Sequence, residues 1–176
     1  MRILYVLIFI WVFQVGVCSQ TPETMTIQVF FLNSANDPYF EDCHDVKPTP
    51  RTIAKTRSVA RAALEELFKG ATPEEEARGF VSLAPRETAG ILKSINIKNG
   101  SAYINFNEIV YKQLGTATTS CGGGFFTSIE ATLKQFPTVK KVFYAIEGSP
   151  ADFYEWVQVG ECPKELKNCD NRNFIK

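Results

Sequence analysis

The chain has 176 residues, of which 45% are hydrophobic and 22% charged, and its 19 lysines and arginines balance 19 aspartates and glutamates. This size and composition are typical of one globular domain with a core large enough to be stable without a metal or a disulfide. The balanced charge, with no basic stripe interleaved with aromatic residues, argues against a nucleic-acid-binding protein.

An almost unbroken apolar run over residues 3–17 follows a single basic residue, Arg2, and polar sequence begins after Cys18. This pattern predicts an export signal over residues 1–19. Three fates compete, namely cleavage, lipidation of Cys18 after cleavage, and retention as a membrane anchor. Val17 is not the small residue that usually precedes a lipidated cysteine, and the run is shorter than the roughly 20 residues that span a bilayer. Each fate places the rest of the chain outside the cytoplasm, secreted or membrane-anchored and facing outward.

The exported part opens with a strand over residues 26–32, because Ile27, Val29 and Phe31 alternate on one face. A polar loop interrupted by prolines is then predicted over residues 33–50. At eighteen residues this loop is long enough to suggest a function.

Two helices are predicted after this loop. The first has one apolar stripe, with Thr56 as its N-cap and Gly70 at its end. The stripe consists of Ala60, Ala63, Leu64, Leu67 and Phe68. The second begins with a capping box and a proline at residues 72–75 and ends at Gly79.

Residues 91–98 and 101–106 flank Asn99-Gly100, the strongest short signal for a β-hairpin. The residues predicted to share its inner face are Ile95, Ile97, Ala102, Ile104 and Phe106.

A further helix and strand complete the predicted domain. Phe125, Ile129, Leu133 and Phe136 recur at helical spacing before Pro137. Residues 142–146 then alternate as a strand that is apolar on both faces, which favours a position inside a sheet. Beyond them, three aromatic residues at 153, 154 and 156 are expected to cover an edge, and residues 161–176 form a polar tail pinned only by its two cysteines.

The order strand, helix, hairpin, helix, strand predicts an α+β fold. It is a single β-α-β-β-α-β-like domain over residues 26–158, with helices packed on one face of a mixed sheet, followed by a cysteine-containing tail over residues 159–176.

Several segments resemble the GerMN domain of bacterial sporulation and spore-germination proteins. They are residues 30–33, 41–43, 62–67, the Asn99-Gly100 hairpin and residues 119–122. The resemblance implies a fold similar to the ring-building motif, an exported and often lipid-anchored protein, and no catalytic residues. It therefore implies a non-enzymatic binding or assembly module of the envelope, possessing no cofactor, that contacts a protein partner or its own copies. The sequence departs from the family at Gly123 and Gly124, where helix-forming residues are common.

The four cysteines beyond Cys18 allow three disulfide connectivities. Cys162 and Cys169 lie seven residues apart, so a local bridge between them is easy, and Cys43 is then left for Cys121. The resemblance agrees with this pairing, because Cys43 and Cys121 both lie in the family-like segments.

The loop over residues 33–50 is the predicted partner-binding region. Its candidate contact residues are Asp37, Tyr39, Phe40, Glu41 and Asp42. Tyr39 and Phe40 also suit stacking on a small ligand or glycan, which is a second hypothesis. The carboxylates of the loop are the ligand type that calcium prefers, but they lack the spacing of an EF-hand, so we expect a solvated acidic loop and no metal. They belong to Asp37, Glu41, Asp42 and Asp45.

Two further motifs each have a functional and a structural interpretation. Cys43-His44-Asp45 has the residue types of a secreted thiol enzyme or hydrolase, but neighbours in sequence point apart, so we expect no catalytic residue here. The glycines at 122–124 precede a helix and suit either an anion or close packing. Close packing is favoured, because no lysine follows as in a phosphate-binding loop.

Overall fold

The computed structural model describes residues 22–35, 37–83, 88, 90–115 and 122–175. Its strands are β1 (Thr24–Asn33), β2 (Val46–Ala54), β3 (Phe80–Val81), β4 (Leu92–Lys98), β5 (Ser101–Phe106) and β6 (Lys141–Ile146). Its helices are α1 (Val59–Phe68), α2 (Pro73–Glu76), α3 (Ile109–Leu114), α4 (Gly122–Lys134) and α5 (Pro150–Trp156). The predicted α+β fold class is confirmed. No helix among the described residues is long and apolar enough to cross a bilayer, and the predicted export signal with Cys18 lies outside them.

The six strands form two three-stranded sheets rather than one. The first has the order β2-β1-β3 and is antiparallel, and the second has the order β4-β5-β6, with β6 parallel to β5. β6 therefore lies at a sheet edge, although Tyr144, Ala145 and Ile146 are buried. Apolar residues on both faces of a strand indicate that other elements pack above and below the sheet. They do not indicate that the strand has a hydrogen-bonded strand on each side.

The predicted loop over residues 33–50 is shorter than expected, because β2 begins at Val46 and pairs with β1 along its whole length. The sequence predicts that Pro48 and Pro50 lie in the loop, but both are exposed residues of this edge strand. Proline is tolerated at an edge because its missing N–H can face solvent. The true loop spans residues 34–45.

Local capping signals were mostly reliable. Thr72 and Glu75 form the predicted capping box at the start of α2. Asn99 and Gly100 have positive φ angles of 51° and 78°, as the hairpin requires. The N-cap of α1 is Ser58 rather than Thr56, whose hydroxyl instead accepts a hydrogen bond from Ser58 N.

The core lies where α1 and α4 pack together against β1. The ring of Phe68 on α1 stacks on Phe125 of α4, with 5.7 Å between the ring centroids. Gln135, just after α4, exchanges two hydrogen bonds with the backbone of Gln28 on β1, at 2.9 and 2.7 Å. Ile97, predicted on the inner face of the hairpin, is 39% exposed because β4 is an edge strand.

The C-terminal tail is anchored by more than its cysteines. Phe174 is 2% exposed and meets the ring of Tyr103 edge-on at 5.3 Å. The side chain of Asn96 donates to Asn173 O at 3.1 Å. Leu166 is also buried. The tail therefore covers the face of the second sheet that carries Asn96 and Tyr103, because a few apolar residues within a polar segment are enough to dock it.

Replacing Phe174 by alanine is expected to undock the tail locally. Removing a buried phenylalanine side chain commonly costs several kcal/mol. Since the tail can open without the rest of the domain, we expect its amides to exchange with solvent at least about 30-fold faster, roughly 2 kcal/mol. Hydrogen exchange on peptides from residues 162–175 measures this. Ile175→Ala is the control, because Ile175 is 53% exposed, and equal exchange in the two variants would contradict the anchoring role of Phe174.

Candidate functional site

The predicted partner-binding residues lie in the loop over residues 34–45, between β1 and β2. Tyr39 is 84% exposed, the highest exposure among the large apolar side chains of the described residues. Phe40 has a φ of 51°, a backbone conformation that residues with a Cβ rarely adopt. The loop thus presents a tyrosine to solvent from a defined turn.

Hydrogen bonds within the loop hold this turn. The carboxylate of Asp37 accepts from Asp42 N at 2.9 Å, and the carboxylate of Asp42 accepts from His44 N at 2.9 Å. The hydrogen bond from Asp42 N, helped by that of Glu41, lowers the pKa of Asp37. Glu41 is exposed. Asp37 and Asp42 therefore act on the loop's own backbone.

These carboxylates do not converge on one point. Asp45 pairs with Lys47 at 2.5 Å, on the side of the loop that leads into β2. Within the described ranges, no group of three or more His, Cys, Asp or Glu side chains is placed to hold a metal ion. The single histidine, His44, has its Nδ1 3.6 Å from Asp42 Oδ1.

The first turn of α4 packs directly on this loop. A Cβ on Gly124 would lie 2.5 Å from Cys43 O and 2.6 Å from Leu83 Cδ1, both closer than real contacts allow. A Cβ on Gly123 would meet only the imidazole of His44, at 3.3 Å. Gly124, one of the two glycines that distinguish this chain from its family-like pattern, thus allows the helix to approach the loop backbone.

Cys43 is 7% exposed and disulfide-bonded. Its predicted partner, Cys121, lies outside the described residues, so the pairing stays a prediction. In the tail, the Sγ atoms of Cys162 and Cys169 are 2.10 Å apart.

Peptide mapping without reduction is expected to recover Cys43 linked to Cys121 and Cys162 linked to Cys169. Closing about 79 residues, the first bridge would stabilise the fold by up to roughly 4.5 kcal/mol, and the short one by up to roughly 2.5 kcal/mol, in the chain-entropy account. A peptide that links Cys43 to either tail cysteine, or a free thiol at Cys43, would contradict the pairing. Iodoacetamide labelling before digestion supplies the control for exchange during handling.

A buried charged cluster connects β2 to α1 and α2. The guanidinium of Arg51 donates to the carboxylate of Glu75 and, at 2.6 Å each, to the carbonyls of Glu66 and Gly70. Thr49 donates to the same carboxylate at 3.2 Å. With its hydrogen-bonding groups engaged, this cluster is structural rather than a site open to a ligand.

The Glu75 carboxylate should make stability depend on acid pH. Burial alone would raise its pKa, but hydrogen bonds from Arg51 and Thr72 lower it below the ordinary 4.5. Its contribution is therefore fully present above about pH 4.5 and is lost as the pH falls through the folded-state pKa. We expect the difference in Tm between the parent and Glu75→Gln to shrink from about pH 6 to about pH 3. A difference that stays constant, or Glu130→Gln behaving in the same way, would contradict this.

Sequence reasoning missed a second exposed feature, a pair of rings where α3 meets α5. Tyr111 is 40% exposed and meets Trp156 edge-on, with 5.6 Å between the ring centroids. Trp156 Nε1 donates to Gly115 O at 3.2 Å, and its ring packs against Phe126 and Phe153. The six-residue α3, which carries Tyr111, was too short to predict from periodicity, and no sequence signal indicated that Tyr111 meets Trp156.

Comparisons with known proteins place this geometry in context. The sequence matches the profile of the Germane family, described as "Sporulation and spore germination", over residues 28–152. No curated protein matches it. The tandem GerMN domains of the sporulation protein GerM from Bacillus subtilis are 21% identical, with a TM-score of 0.50, over 72% of this chain and 40% of that chain. The first GerMN domain of that protein is 20% identical, with a TM-score of 0.45, over 70% of this chain and 84% of that chain.

At this identity the likeness to the tandem structure shows a shared fold alone. This chain spans 40% of the length of that tandem structure.

Proposed function

The chain belongs to the Germane family of sporulation and spore germination, and we propose that it is a non-enzymatic, extracytoplasmic binding or assembly module of the cell envelope. Its partner is a protein or a second copy of the chain. The apolar N-terminal run supports export, and a cysteine pair at bonding distance suits an oxidising compartment. The module is secreted if the N-terminal segment is cleaved, and that segment attaches it to the membrane if it is lipidated at Cys18 or uncleaved.

The observation that carries the proposal is the loop over residues 34–45. It presents Tyr39 at 84% exposure from a turn that Asp37 and Asp42 fix by hydrogen bonds. Tyrosine combines a large contact area with few rotatable bonds, and it is enriched at protein interfaces. A turn that hydrogen bonds already hold loses less conformational entropy on binding.

The edges of the first sheet are less suited to assembly than this loop. The exposed edge of β2 carries Pro48 and Pro50, which have no N–H to offer another strand. On the other side of the same sheet, β3 has only two residues. Assembly through side chains therefore fits the first sheet better than strand addition.

Photo-crosslinking tests the proposal in the native cell. The full chain carries p-benzoylphenylalanine in place of Tyr39, or, as the control, in place of Ile175, which is also exposed. We expect a discrete adduct from position 39 that position 175 does not give, and mass spectrometry identifies the protein in it. Identical adducts from both positions, or none from position 39, would contradict a partner-binding loop.

A further inference from the structure

Two carboxylates lie on the same helix face as Trp156, whose ring meets that of Tyr111. On α5, Asp152, Glu155 and Trp156 stand at positions i, i+3 and i+4, which belong to one helix face. Burial, followed by the charges of Asp152 and Glu155, raises the pKa of Tyr111. The negative potential of both carboxylates therefore reaches the exposed ring.

This negative charge lacks a counter-charge within the described part of the chain. None of its ion pairs includes Asp152 or Glu155, whereas the lysines at 93, 134 and 141 each pair with a glutamate. Lys112 follows Tyr111 on α3, is exposed, and makes no ion pair with either carboxylate. The surface thus combines partly exposed aromatic rings with two unpaired acids.

We infer that Tyr111, Trp156, Asp152 and Glu155 form a binding site for an arginine side chain of the protein partner, an inference that rests on the proposed function. A guanidinium is weakly hydrated and planar, so it stacks on aromatic rings while it donates hydrogen bonds to carboxylates. An uncharged segment would leave both carboxylates without a counter-charge, and an acidic segment would be repelled. The chemistry of the surface therefore selects a cation that can also stack.

The site contains its own reporter, because the only other tryptophan of the chain is Trp11. The full chain with Trp11→Phe is titrated with a short synthetic peptide that carries one arginine between two leucines, and Trp156 fluorescence is followed. The matched peptide carries citrulline, which has nearly the same shape without the charge. We expect the arginine peptide to bind at least about tenfold more tightly. Equal affinity for the two peptides would overturn the inference.

Charge-removing variants distinguish a specific arginine site from non-specific electrostatic attraction between the peptide and the protein. We expect Asp152→Asn with Glu155→Gln to weaken binding of the arginine peptide about tenfold while Tm changes little, since both changes preserve side-chain size. Glu74→Gln removes an exposed carboxylate on α2 and should leave the affinity unchanged. An unchanged affinity in the double variant, or an equal loss in Glu74→Gln, would overturn the arginine site.

The outcomes also separate this inference from the proposed function. If position 39 crosslinks a partner while the arginine peptide binds no better than its citrulline counterpart, the arginine site alone is overturned. If the titrations succeed and no adduct forms at position 39, the partner-binding loop is overturned and the arginine site stands.

Discussion

Replacing Arg51 by methionine is expected to lower the free energy of unfolding by about 3–5 kcal/mol. The side chains of Arg51 and Glu75 are only 9% and 5% exposed, so the substitution leaves a buried carboxylate without its counter-charge. It also removes donors from the carbonyls of Glu66 and Gly70. Urea unfolding of the full chain, followed by circular dichroism, measures the loss.

Arg61→Met is the matched control, since it removes the same chemical group from the exposed i,i+4 pair with Glu65. Such pairs contribute about 0.3–0.5 kcal/mol. Removing both charges of the buried pair, with Arg51→Met and Glu75→Leu together, should recover part of the stability, because no uncompensated charge remains. An Arg51→Met loss no larger than that of Arg61→Met would show that the cluster is not buried in solution.

Signals confined to a few neighbouring residues predicted this fold well. The alternation of Ile27, Val29 and Phe31, the Asn99-Gly100 turn and the Thr72–Glu75 capping box all depend on local backbone geometry, and the structure contains each of them. Their energetics are settled within a single strand, turn or helix end, so the sequence alone is informative.

Features decided by distant contacts could not be read in the same way. Pro48 and Pro50 predict a loop unless the reader knows that β2 is an edge strand. A phenylalanine at position 174 of a polar tail does not indicate that its ring packs against Tyr103. The pairing of Tyr111 with Trp156 likewise joins residues 45 positions apart. In each case the tertiary neighbour determines the role of the residue, and a single sequence does not name that neighbour.

The loop predicted as the binding region lies between β1 and β2, over residues 34–45. Its length was overestimated because the prolines concealed the start of β2. The exposure of Tyr39 agrees with a contact role, whereas the acidic residues Asp37 and Asp42 bond to the loop backbone. Composition alone does not distinguish a side chain that faces solvent from one that stabilises a turn.

Replacing Gly124 by alanine is expected to destabilise the domain by about 3 kcal/mol, at the upper end of the range for overpacking. The added Cβ would lie 2.5 Å from Cys43 O, a backbone atom that cannot move aside as a flexible side chain can. Relieving the clash requires α4 to move away from the loop that carries Tyr39. The loss should exceed the gain of about 1 kcal/mol that alanine normally brings over glycine inside a helix.

Gly123→Ala is the matched control, because it makes the same change one position earlier in the same turn of α4. Its Cβ would meet only the exposed imidazole of His44, at 3.3 Å, and that side chain can shift. We therefore expect Gly123→Ala to be neutral or to raise stability by up to about 1 kcal/mol. Thermal unfolding of the two variants, side by side with the parent, measures both effects. If Gly124→Ala melted at or above the parent temperature, the first turn of α4 would not rest on the loop backbone, and the loop would lose the support that fixes Tyr39 for binding.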